Sequence, residues 1–336
     1  MSVSVAADRS LSTRVLITGA SGFVGSNLAR RALRDGHDVH LLLRPGYDGW
    51  RLHGLDEATV VHVVDLEDRP AVHDAVAAIR PEWVFHLAAY GAYSTETTLE
   101  RMVSTNVLGC ANLLDACVNA GVGAFINAGS SSEYGYTDRA AREDDALQPN
   151  SHYAITKAAA THYCQFAARA KDVNAITVRL YSVYGPFEEP SRFFPALIVH
   201  GLHGQLPPLV AAETARDFIY VDDAVDAMVT LAAAPSVPRG AIYNVCTGIQ
   251  TRIADVVTEA RRQMNIRAEP AWAGMPRRSW DTSTWVGSPA KLEREVGWRA
   301  SADVATGLRK TLRWFEQNPE QLPFYEQHIS TLPVRA

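Results

Sequence analysis

The chain has 336 residues, 47% of them hydrophobic and 21% charged, with a formal net charge of -5; this is enough apolar material for a core larger than one small domain. Net acidity with scattered basic residues excludes a nucleic-acid footprint, and near-average Gly and Pro usage excludes a fibrous or largely disordered chain. No apolar run approaches the roughly 20 residues of a membrane-spanning helix and residues 1–13 lack the apolar core of a signal peptide, so a cytoplasmic protein with no membrane partner is expected.

Short β-branched runs at 15–18, 39–43, 60–64, 83–87, 124–128 and 175–180 predict buried strands. Between most of them, apolar residues recur at helical spacing, as in 99–120 and 153–170. A single short apolar run is compatible with a buried helix segment, but six in alternation with helices predict an α/β fold. Its form is a doubly wound parallel sheet of Rossmann type, covered on both faces. After Tyr184-Gly185-Pro186 turn formers cluster between shorter helices, such as 221–234 and 252–264. This predicts a smaller, mixed substrate-binding domain. The division expected is 1–180 for dinucleotide binding, joined by 217–247, and 181–216 with 248–336 for substrate. The run 241–245 has the character of a further strand of the main sheet.

Directly after the first strand stands Thr18-Gly19-Ala20-Ser21-Gly22-Phe23-Val24-Gly25. Glycines at this spacing allow a tight turn and close approach of the backbone to a pyrophosphate, which then rests on the amides and positive end of the next helix. A plain strand-to-helix turn explains many such matches, and the position in the α/β pattern favours dinucleotide binding. Gly19, Ser21, Gly22, Phe23, Val24 and Gly25 are the candidates. The second strand ends in Leu43-Arg44, where an NAD site places a carboxylate on the ribose. A guanidinium suits a 2'-phosphate, so Arg44 favours NADP(H) over NAD(H), a solvated strand-end arginine being the bland alternative. Asp65 and Leu66 follow the third strand, where an adenine amino group would lie. Leu87, Ala88 and Ala89 follow the fourth, with small residues beside the cofactor.

Ser151-His152-Tyr153-Ala154-Ile155-Thr156-Lys157 opens a helix and puts Tyr153 and Lys157 on one face. An ammonium beside a phenol favours phenolate and is expected to draw the Tyr153 pKa down for acid-base work. Only four of the 32 basic residues are Lys, which singles Lys157 out. Ser130, in the serine-rich turn after the fifth strand, is the candidate to hydrogen-bond a substrate carbonyl or alcohol. The four cysteines, Cys110, Cys117, Cys164 and Cys246, show no metal-ligand spacing and read as buried thiols; no metal is expected.

Together these motifs resemble the extended short-chain dehydrogenase/reductase family, in its branch of nucleotide-sugar epimerases, dehydratases and ketoreductases. Asn106-x-x-Gly109-x-x-Asn112, Arg179-Leu180-Tyr181-Ser182-Val183-Tyr184-Gly185-Pro186 and Arg216-Asp217-Phe218 follow in the family's order. The resemblance implies a cofactor role for Asn106 and Tyr181. It implies substrate contacts at Ser131, Ser132, Glu133, Ser182 and Arg192, a diphosphate held by Arg216 and Arg278, and a ribose hydroxyl met by Asp281. It also implies a homodimer paired through the helices 99–120 and 153–170.

Dehydratases of the family carry an acid pair where this chain has Ser131 and Ser132, unless a shortened turn lets Glu133 serve. The Ser-Glu-Tyr-Gly turn and Arg44 resemble reductases of 4-keto-deoxy sugars on cytidine diphosphate carriers. The resulting expectation is NADPH-dependent reduction of a keto group, at C4, on a nucleotide-diphosphate deoxy sugar. An epimerase with retained cofactor and a dehydratase are the alternatives within the family. A non-catalytic dinucleotide sensor is the alternative outside it.

Overall fold

The structure, a computed structural model, describes residues 12–55, 57–93, 96–274 and 284–330. In chain order it begins β1 (Arg14–Thr18), α1 (Phe23–Arg34), β2 (Asp38–Leu43), β3 (Val60–Val63), α2 (Arg69–Ile79), β4 (Trp83–His86) and α3 (Leu99–Val103). A π-helical turn, Ser104–Gly109, joins α3 to α4 (Cys110–Ala120). Then come β5 (Ala124–Ser130), α5 (His152–Lys171), β6 (Ala175–Leu180), β7 (Ser182–Tyr184), α6 (Phe193–Leu202), β8 (Ala215–Arg216) and β9 (Phe218–Tyr220). The chain closes with α7 (Val221–Ala233), β10 (Ile242–Val245), β11 (Thr251–Arg252), α8 (Ile253–Met264), α9 (Ala290–Val296), α10 (Val304–Gln317) and α11 (Leu322–Ser330).

Seven strands form one parallel sheet in the order β10-β6-β5-β4-β1-β2-β3. Side chains alternate along each strand, and in the inner strands both sets are buried, whereas edge strand β3 leaves Val60, Val61 and Val63 exposed. Val15 and Ile17 enter a core with α1 and α7 residues such as Leu28 and Met228. Leu16 enters the opposite core with Val76, Leu113 and Ala167 of α2, α4 and α5. This two-sided burial is why the strands read as unbroken apolar runs. Thr18 pairs with Leu42 and His86, and His86 with Asn127. The carboxyl ends of β1, β2 and β4 therefore lie level, and β5 runs on past them to Ser130.

The strand boundaries agree with the expected ones to within a residue or two. The expected helix 99–120 is instead two α-helices around the π turn. That turn carries Asn106, which is fully buried. Asn106 Nδ2 donates to the Tyr90 carbonyl at 2.8 Å and to Thr156 Oγ1 at 2.9 Å, and its Oδ1 accepts the Tyr90 amide at 2.8 Å. Extra residues in a helical turn of this kind commonly mark functional sites. The run 241–245 does return to the main sheet, as β10 beside β6. All four cysteines are buried free thiols.

The segments after β6 build a separate apolar cluster around Tyr184, Phe194, Leu197, Phe218, Val256, Phe315 and Tyr325. Two short ladders brace it: β7 with β9, parallel, and β8 with β11, antiparallel. Glu188 lies buried against this cluster, its amide donating to the Gly185 carbonyl and its carbonyl accepting the Tyr325 hydroxyl. Among the described residues its Oε2 has no hydrogen-bond partner. Burial raises the Glu188 carboxyl from 4.5 to about 8, against the opposing charges of Arg192 and Arg51. The folded chain thus holds this proton more tightly than the unfolded one. Its stabilising effect is full below about pH 4.5 and is lost as pH rises through about 8. The melting temperature should fall across that window in the wild type, and Glu188→Gln, which cannot ionise, should flatten the slope.

Candidate active site

The site gathers at the level strand ends, the edge where such sheets bind ligands. Thr18 closes β1 with its hydroxyl 2.8 Å from His86 Nδ1 of β4. The chain then turns at Gly19 with φ of +71, where a Cβ would meet the Ala88 amide nitrogen at 2.5 Å. At Gly25 a Cβ would run into the Gly19 carbonyl. Both positions demand glycine, and the Gly22 amide locks the turn by donating to the Gly19 carbonyl at 2.9 Å. Gly22 caps α1 with no side-chain hydrogen bond, and the first turn holds no acid. The helix amides and dipole are thereby left for an anion. Phe23 and Val24 point back into the core, and the Ser21 carbonyl accepts a long hydrogen bond from Arg51. This cradle fits the pyrophosphate of a dinucleotide.

Along the same edge, Arg44 is exposed just after β2 while Leu43 is buried. Asp65 Oδ1 accepts the Glu67 amide at 3.0 Å. The carbonyl of buried Leu66 accepts Asn112 Nδ2 at 2.9 Å, and Leu66 packs on Gly109. The Asn-x-x-Gly-x-x-Asn motif thus fixes the loop after β3 through Asn112. Its Asn106 spends its amide on Tyr90 and Thr156. Leu87, Ala88 and Ala89 run out from β4 half-buried to exposed.

Ser151 caps α5 by accepting the Ala154 amide at 3.2 Å, so Tyr153 stands in the first turn and Lys157 one turn deeper, 2% exposed. The Ser130 hydroxyl, at the end of β5, lies 2.7 Å from Ser132 Oγ and is near enough to the Tyr153 phenol to favour its ionised form. Burial raises the phenol above the ordinary tyrosine range, and the Glu133 charge raises it further. Ser130 and Arg192 pull it down, and Glu96 pushes it up. This corrects the expectation that Lys157 draws Tyr153 down. Lys157 is buried beside Cys110, Cys164 and Glu133, where burial lowers its own pKa and those neighbours restore part of it.

Glu133 is fully buried. Its Oε1 accepts the Ser130 amide at 2.8 Å and its Oε2 pairs with Arg179 Nε at 2.9 Å. Turned inward in this way, it presents no acid toward a substrate. Sequence reasoning left Arg179 without a role, and the signal was an arginine placed inside an apolar strand.

On the substrate side, Ser182 opens β7 and donates its amide to the Asp217 carbonyl at 3.0 Å. The buried Asp217 carboxylate accepts the Thr247 amide and hydroxyl together with the amides of Gly248 and Gly287. It thereby fixes neighbouring Arg216, whose guanidinium lies 5.1 Å over the Trp285 ring. Tyr181 packs with Tyr134, Cys246 and Trp285. Its ring is thus at the β6–β10 end of the sheet, away from the glycine turn, and it lines a small cavity with Ser131, Tyr134, Gly135 and Trp285. Arg192 heads α6 and donates to the Ala92 carbonyl at 3.0 Å. Arg278 and Asp281 lie outside the described residues. Among the described residues there is no group of metal-ligating side chains, and no helix is long and apolar enough to cross a membrane.

Comparison with known proteins accords with this geometry. The model of the NAD-dependent epimerase/dehydratase family matches residues 15–246. A probable UDP-glucuronate 4-epimerase of Rhizobium meliloti is 27% identical, over 91% of this chain and 97% of that protein. A trifunctional UDP-glucose 4,6-dehydratase, epimerase and reductase of Arabidopsis thaliana is also 27% identical over 91% of this chain, which spans 47% of its length. The crystal structure of the Thermus thermophilus UDP-glucose 4-epimerase in complex with NAD superposes with a TM-score of 0.78. It is 28% identical, covering 90% of this chain and 99% of that one.

The glycine contacts generate a direct test. Gly25→Ala forces the turn off the Gly19 carbonyl and should weaken NAD(H) binding by at least about tenfold with the fold retained, as measured by calorimetric titration beside circular dichroism.

Proposed function

The chain belongs to the NAD-dependent epimerase/dehydratase family, enzymes of the extended short-chain dehydrogenase/reductase type, and on that premise we propose that it is a nucleotide-sugar epimerase that keeps its NAD between turnovers. The observation that carries the reading is the turn after β5. It offers hydroxyls at Ser130, Ser131 and Ser132, while the carboxylate of Glu133 is paired with Arg179. Eliminating water from a sugar calls for a general acid at that turn, whereas oxidation and reduction of a carbinol call for a proton acceptor and a hydrogen-bonding hydroxyl. Ser130 and Tyr153 meet that need. The relatives named for UDP-hexose and UDP-hexuronate chemistry support a UDP-sugar substrate.

In this reading, NAD supplies hydride acceptance and return at one sugar carbon. Tyr153, with Ser130 as the hydrogen-bonding hydroxyl, takes the proton of the sugar hydroxyl and returns it to the same oxygen when hydride comes back to the opposite face of the carbon. Lys157, buried one turn along α5 from Tyr153, would hold the cofactor's ribose. Arg216, steadied by Asp217 and Trp285, holds the diphosphate, with Arg278 assigned the same task by resemblance. A second reading rests on Arg44. Its exposure beyond β2, with Leu43 in place of a carboxylate, favours a 2'-phosphate and hence NADPH-dependent reduction of a 4-keto sugar.

Incubating the purified protein with UDP-, dTDP- and CDP-hexoses separates the two readings. Interconversion of epimers without net cofactor consumption is expected, and NADPH oxidation in step with product would favour the reductase. Tyr153→Phe should lower kcat by about a hundredfold or more and leave NAD affinity nearly unchanged.

Leu99, Val103 and Leu108 along α3 and the π turn, with Ile155 and Phe166 on α5, are exposed apolar residues. They support a homodimer paired through these helices. Phe166→Glu should shift the protein from dimer to monomer in sedimentation equilibrium.

A further inference from the structure

Glu133 sits within the proton-handling group without facing the substrate. It closes a capping box at the end of β5: its Oε1 accepts the Ser130 amide at 2.8 Å, and the Ser130 hydroxyl accepts the Ser132 amide at 3.2 Å. The space is filled, since a Cβ on Gly129 would lie 2.6 Å from Glu133 Oε1. Arg179 completes the unit from β6 by pairing with Oε2. Its guanidinium lies 4.4 Å over the ring of Tyr134, whose hydroxyl donates to Asn244 Oδ1 of β10 at 2.7 Å. Three strand ends are thereby tied to the turn that carries Ser130.

We propose that Glu133, with Arg179 as its counter-ion, is the positioning residue of this site: it fixes the turn that carries the Ser130 hydroxyl where that turn packs on α5, the helix that carries Tyr153, and sets a buried charge there. The proposal rests on the reading of Ser130 and Tyr153 as the proton-handling pair. The charges that act on Tyr153 are those of Glu133 from the turn after β5, Arg192 from the head of α6 and Glu96 from the loop before α3. Lys157, one turn along α5, is acted on by Cys110 of α4, Glu133 and Cys164 of α5. Glu133 is the group common to both, and its charge raises both Tyr153 and Lys157. Removing it leaves Arg179 uncompensated, so both changes push Tyr153 toward phenolate.

The test is a near-ultraviolet phenolate titration of the protein loaded with oxidised NAD, whose positive ring favours phenolate. The Tyr153 signal is isolated by subtracting the same titration of Tyr153→Phe. Glu133→Gln should move the midpoint down, raising the Tyr153 acid constant by about tenfold. Glu133→Asp keeps the charge and withdraws the reach to Ser130. Its midpoint should stay within about twofold in acid constant while turnover falls about tenfold or more. The double variant Glu133→Gln with Arg179→Met removes both charges and should titrate between wild type and Glu133→Gln.

An unchanged or raised midpoint in Glu133→Gln, or the same midpoint in the Gln and Asp variants, overturns the proposal. If Glu133→Gln fails to fold, a double-variant midpoint at or above the wild-type value overturns it. The titration needs no sugar, so its outcome is independent of whether the epimerase reading holds.

Discussion

The site depends on the buried pairing of Glu133 with Arg179. Parallel strands end level by the geometry of the sheet, which collects the loops at one edge but does not aim any hydroxyl. Aiming is done where β5 overruns its neighbours and curls into the Ser131–Tyr134 turn. There an ion pair almost without solvent exposure clamps the turn to β6. Breaking one partner of such a pair typically costs about 3–5 kcal/mol, because a charge is left buried and alone. An apolar pair would hold the turn without that liability. The charge therefore calls for an explanation in the chemistry, and the neighbouring phenol supplies one.

A second constraint separates the two halves of the site. The glycine turn is set by backbone contact alone: Gly19 against Ala88, and Gly25 against Gly19. The substrate half is set by carboxylates, with Asp217 gathering the amides around Arg216 and Glu133 holding Ser130. Rigid backbone suits the proposed retained cofactor, and the buried charges stand in the half of the site proposed to orient the sugar.

Much of this was legible in the sequence because burial on both faces of a parallel sheet leaves an unambiguous apolar signal. The main strands, the glycine turn and the Tyr153–Lys157 spacing follow from local rules of that kind. What was not legible depends on long-range partners. A glutamate in a serine-rich turn reads as solvated until Arg179, 46 residues later, is seen beside it. Asn106 reads as an ordinary helix residue until it is found in a π turn with its amide holding Tyr90. The Tyr153 acidity was misjudged because helical spacing fixes the nearness of Lys157 but says nothing of burial, and burial is the larger influence on the phenol.

The central claim is that one carbon of a nucleotide sugar is oxidised and reduced in place. It is tested most directly by carrying a UDP-hexose deuterated at the epimerised carbon through the reaction and analysing the product by mass spectrometry. Hydride taken out and returned predicts an epimer that retains its deuterium in unlabelled water. Loss of the label from the product would contradict the account.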